Sequence, residues 1–81
     1  MSMKKETLND RLYKHCNLQL NLLERELKKE LSPHDRLKAT TEINVYNHLL
    51  DYKTYKHFIS LEELIKYVQD RVDIILGFYE N

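Results

Sequence analysis

A single glycine, Gly77, serves the whole chain of 81 residues. That shortage constrains the fold more than any motif does. Tight β-hairpins hold their central residues at positive φ and draw on Asn-Gly or Asp-Gly pairs, and neither pair occurs here. Loops that cradle phosphate need several glycines so that the backbone can approach the anion. One glycine therefore excludes a Walker-type loop, a dinucleotide-binding fingerprint and a kinase-like glycine-rich loop. Pro33 is the only proline, so few helix breakers interrupt the chain.

The apolar residues agree with a helical reading. Leu8, Leu12, Cys16, Leu20, Leu23, Leu27 and Leu31 recur at every third or fourth position, which traces one face of an α-helix. Thr7 and Asp10 can open this helix as a capping-box-like pair, and the pattern predicts helix one over about 5–31. Ser32 then serves as N-cap, Pro33 takes the first helical position and Asp35 lies in the first turn, near the positive end of the helix dipole. The second helix is expected over 33–55, with Lys53, Lys56 and His57 at its negative end. Thr41 to Tyr46 carries β-branched residues with some alternation, but a strand without a partner is not stable. The third helix is expected over 61–76. Ser60 and Glu63 form an S-x-x-E capping box, and Ile59 and Leu64 stand where a hydrophobic staple belongs. Gly77 follows where a left-handed residue ends a helix, and Phe78 and Tyr79 are expected to fold back onto the bundle. The expected fold is an all-α three-helix bundle forming one domain over 1–81, with 1–4 and 80–81 frayed.

Charge and cysteine usage bound the partners and the setting. Thirteen Lys/Arg balance thirteen Asp/Glu, so overall electrostatics favour no polyanion. The halves differ: residues 1–38 hold nine basic and six acidic residues, and residues 39–81 hold four and seven. This mild asymmetry suits contact between proteins. Cys16 is alone, which excludes an intrachain disulfide and a CxxC zinc cluster. No apolar run approaches the ~20 residues of a transmembrane helix, and the first ten residues lack the apolar core of a signal peptide. A cytoplasmic, reducing location is expected. Phe, Tyr, Met, Ile, Asn and Lys, whose codons are AT-rich, number 30 against seven for Gly, Ala, Arg and Pro. That bias points to a low-GC genome, such as a Gram-positive bacterium or its phage or mobile element.

Chemistry-bearing residues are sparse. His15, His34, His48 and His57 make no HxxxH or ExxH pair. His48 and Asp51 lie three apart, but two ligands fall short of a zinc site, so neither a metal nor another cofactor is expected. His15 and Cys16 are adjacent and point to different helix faces, which disfavours a thiol–imidazole couple. The expectation is that the protein is not an enzyme.

Binding residues are sought among apolar side chains that one core cannot use. Leu18 and Leu22 lie on a second face of helix one, and Tyr67 and Ile74 lie off the main stripe of helix three. These four are the candidate partner-binding residues, in a homo-oligomer through helix one or against another protein. Scattered surface apolars are the competing explanation. Helix two carries two lines, Ala39-Ile43-Tyr46-Leu50 and Val45-Leu49-Tyr52-Tyr55, and is expected to be central, covered from both sides. Tyr52, Lys53, Tyr55, Lys56 and His57 interleave aromatic and basic groups as single-stranded nucleic-acid binders do, although continuation of the helix-two stripe explains the tyrosines more simply. Helix three is a poor DNA-recognition helix, because Ser60 to Asn81 holds five acidic and two basic residues. The expected function is that of a non-enzymatic protein-binding regulator or inhibitor. The alternatives are a DNA-binding transcriptional regulator acting as a dimer and a structural oligomer subunit.

Overall fold

A computed structural model describes residues 6–80 and shows an all-α protein, 84% helical, with three helices. Helix α1 spans Leu8–Leu27, α2 spans Pro33–Asp51, a short 3-10 turn covers Thr54–His57, and α3 spans Leu61–Glu80. The fraying expected for 1–4 and for Asn81 lies outside the described residues, whereas Glu80 still belongs to α3.

All three helix starts follow from local chemistry. Thr7 Oγ1 accepts from the Asp10 N–H at 3.1 Å and the Asp10 carboxylate accepts from the Thr7 N–H at 3.3 Å, a complete capping box. Ser32 Oγ accepts from the Asp35 N–H at 3.1 Å, with Pro33 at the first helical position. Ser60 Oγ accepts from the Glu63 N–H at 3.1 Å, but the Glu63 carboxylate reaches past Ser60 to the N–H of Ile59, at 3.3 Å. The expected staple does not form: Ile59 is exposed while Leu64 is fully buried. Phe58 turns inward in its place and meets Tyr67 with ring centroids 5.2 Å apart.

The helix ends depart from expectation. Helix α1 begins at Leu8, later than about residue 5, because Thr7 is its extended cap, and it stops at Leu27 instead of running to Leu31. Ser32 must be extended to act as a cap and to precede proline, so the chain leaves the helix early. Its last turn tightens through bonds from the Lys28 N–H to Arg25 O and from the Lys29 N–H to Glu26 O, at 3.2 and 3.0 Å. Helix α2 stops at Asp51 instead of Tyr55. Lys53 adopts a left-handed conformation, φ 56°, and the 3-10 turn that follows drives Tyr55 into the core. Gly77 does not end α3: no glycine has positive φ, and the helix continues to Glu80. Phe78 and Tyr79 accordingly stay exposed on the helix and do not fold back.

Helix α2 is central, packed against both α1 and α3, while α1 and α3 touch each other sparingly. Helices α1 and α2 are antiparallel. Arg36 Nη1 donates to the Leu27 carbonyl at 3.5 Å, the rings of His15 and Tyr46 lie 6.0 Å apart, and those of Tyr13 and Tyr55 lie 5.8 Å apart. Buried side chains line α1 at Leu12, Cys16 and Leu20, and α3 at Leu64, Val68, Val72 and Leu76. The driest part joins Leu12 and Cys16 of α1, Leu49 of α2 and Leu64 of α3. It lies where α1 begins, α2 ends and α3 begins, next to the buried Tyr55.

Candidate functional site

Three surfaces stand out: two are outward faces of helices that commit another face to the core, and the third is a cleft between helices. On α3, Tyr67, Ile74 and Phe78 are 40%, 54% and 79% exposed. Their spacing of seven and four residues puts them on one side of the helix, with Arg71 on the same side and Glu63 and Asp70 at its border. Beside this side lies a small groove of about 180 Å³ between α2 and α3, walled by Val45, His48, Leu49, Tyr67, Arg71 and Ile75. Sequence reasoning singled out Tyr67 and Ile74 and missed Phe78, because it expected Gly77 to end the helix.

On α1, Leu18 and Leu22 are 55% and 43% exposed. They share the outward strip with Arg11, Lys14, Asn21 and Arg25, all exposed. This strip bears three cations and no carboxylate of its own, although Lys14 forms an ion pair with Glu6. That bond holds the Lys14 ammonium above its ordinary pKa, with the Glu6 charge adding to the effect.

The third surface is a cleft of about 450 Å³ over α2, between α1 and α3. Tyr46 of α2 and Val68 and Val72 of α3, all buried, make its apolar floor. His15 and Gln19 form the α1 wall, and Gln69 and Asp73 form the α3 wall. Lys38 and Glu42 also line it, and they continue into an adjoining crevice of about 270 Å³ reached by Glu26, Leu31 and Asp35. Tyr46 Oη lies 3.5 Å from His15 Nε2. Burial pushes the Tyr46 phenol up to about 12, with the Cys16 and Glu42 charges adding to it. Burial also lowers the pKa of His15, so at neutral pH a neutral phenol faces a neutral imidazole. Burial raises the pKa of the Glu42 carboxyl against the opposing pull of Lys38. Residues of the cleft were missed one by one in the sequence. Their only signal is a polar companion four residues along, beside the core stripe: His15 with Gln19, Lys38 with Glu42, Gln69 with Asp73.

The basic-aromatic strip loses a member. Tyr55 is buried against Tyr13 and offers no face to a base. Tyr52 remains exposed, its ring 4.5 Å from that of His48, with Lys53, Lys56 and His57 exposed nearby. Cys16 is sealed in the core, and burial pushes its thiol up to about 11. Among the described residues no three His, Cys, Asp or Glu side chains come together in a way that could hold a metal ion. Among the described residues no helix is long and apolar enough to cross a membrane. Compared with protein-family models, curated proteins and solved structures, the chain matches none of them.

Proposed function

We propose that this protein is a non-enzymatic protein-binding regulator or inhibitor that acts by laying helix faces against a partner. One observation carries the reading: Ile74 and Phe78 are exposed, and Tyr67 partly so, along one flank of α3 beside the stripe of the same helix that is buried. Burying a large apolar side chain is worth about 1.5–3 kcal/mol, so a small bundle that leaves three of them on one helix side forfeits stability that a partner can recover. The non-enzymatic part of the reading is supported by the chemistry of the cleft. Its imidazole already faces a phenol whose proton is hard to remove, and the one thiol is inaccessible. The reading retains the cytoplasmic setting and the phage-related, low-GC source expected from composition.

The test is a cross-linked capture from a low-GC bacterial lysate, comparing wild type with the Ile74→Asp/Phe78→Asp double variant. The expected result is a protein held by the wild type and lost by the variant, at unchanged far-UV circular dichroism. Capture of the same proteins by both forms overturns the assignment of this face. The nucleic-acid alternative has support only from exposed Tyr52 beside Lys53, Lys56 and His57. A salt-sensitive gel shift at low protein concentration, lost in Lys53→Glu/Lys56→Glu, would put that alternative first.

A further inference from the structure

We propose that the cleft between α1 and α3 seats α1 of a second copy of this chain, each copy's α1 lying in the other's cleft about a two-fold axis. Neither the cleft nor α1 shares a residue with the Tyr67, Ile74 and Phe78 face of α3.

Charge is the first support. The outward strip of α1 carries Arg11 and Arg25, which form no ion pair among the described residues, on either side of Leu18 and Leu22. The cleft and its adjoining crevice carry Asp35, Glu42 and Asp73, also without ion pairs, against Lys38 alone. The remaining charges cancel locally, Lys14 with Glu6 and Glu26 with Lys29. A basic strip with an apolar centre thus meets an acidic trough with an apolar floor, both on one chain.

Shape is the second. From Asp35 to Tyr46 the trough follows α2 for about 16 Å, and the strip from Arg11 to Arg25 extends about 21 Å along α1, at ~1.5 Å per residue. Leu22 is the member of the strip nearest the wall formed by His15 and Gln19. Helix α1 therefore borders its own cleft with one edge and presents its strip with the next. That arrangement permits an isologous pair in which the two Leu22 side chains meet near the axis. Two-fold symmetry makes the contact twice and so doubles the surface that one seated strip buries.

A charge-swap experiment decides it, with the full chain in sedimentation equilibrium. One variant reverses the strip, Arg11→Glu/Arg25→Glu. The other reverses the α3 wall, Gln69→Lys/Asp73→Lys. All four positions are exposed, and far-UV circular dichroism checks that both variants fold. The wild type is expected to dimerise, each variant alone to dissociate about tenfold or more readily, and their equimolar mixture to recover the dimer, because both of its contacts again pair opposite charges. The Ile74→Asp/Phe78→Asp variant is expected to dimerise as wild type does, so failure here and failure of the α3 reading are separable. A wild type that stays monomeric to about 0.5 mM overturns the proposal. So does a mixture that fails to recover the dimer, or a cleft that binds a foreign helix while the chain remains monomeric.

Discussion

Gly77 lies within α3 in helical conformation, and nothing outside its own stretch of helix comes within 4 Å of the place a β-carbon would take. It carries the entropic cost of glycine in a helix without any use of glycine's freedom. Gly77→Ala is expected to raise the unfolding free energy by about 0.5–1 kcal/mol, measured by urea denaturation. Loss of stability instead would mean that the site requires glycine itself. Thr54 poses the opposite case. Its hydroxyl is buried and has no hydrogen-bond partner, whereas the buried Thr41 hydroxyl donates to the Leu37 carbonyl at 2.7 Å. Thr54→Val should stabilise by about 1 kcal/mol, because it removes an unpaired polar group at nearly constant shape. Thr54→Ser should give no such gain, and equal effects of the two would sink the explanation.

At the scale of elements, helix beginnings were readable and helix endings were not. A beginning is set by a side chain and the backbone three residues on, as at Thr7, Ser32 and Ser60. An ending depends on what the next residues pack against. Helix α2 breaks at Lys53 because Tyr55 is needed in the core, a demand that no local pattern near Asp51 expresses. For the same reason the apolar faces at Leu18, Leu22, Tyr67 and Ile74 could be read from helical spacing, while the cleft could not. It arises from the sparing contact between α1 and α3 over α2, which is a property of three helices together. The Lys53 turn offers a check at this scale. A non-glycine residue in the left-handed region costs roughly 1–2 kcal/mol, part of which glycine returns through its freedom in the unfolded chain. Lys53→Gly is expected to raise the thermal midpoint, with a net gain of about 0.5–1 kcal/mol. A lowered midpoint would show that the lysine side chain contributes to the turn in another way.

Across the whole molecule, stability should depend on pH with two opposing signs. Burial lowers the His15 pKa, so near and below about 6.5 the unfolded chain binds that proton more readily. This contribution is complete above that value and is lost as the solution is acidified through it. Burial raises the Glu42 pKa, so the folded state takes that proton first, and its contribution grows as pH falls through the raised value toward the ordinary carboxylate range. Denaturation midpoints of wild type should fall between pH 7 and about 5.5, while His15→Asn should flatten that slope; an unchanged slope would assign it to other groups. The sealed thiol has a kinetic consequence. Cys16 is the chain's only thiol, fully buried with its acidity suppressed to about 11, and it sits beside Leu12, Leu49 and Leu64 where the three helices close. A thiol reagent can reach it only during an opening of that end, so modification in native buffer runs at a pace set by the opening equilibrium. Leu64→Ala, costing about 2–5 kcal/mol, should accelerate the reaction at least about tenfold. One sulfur atom thereby serves as a clock for how often the bundle breathes.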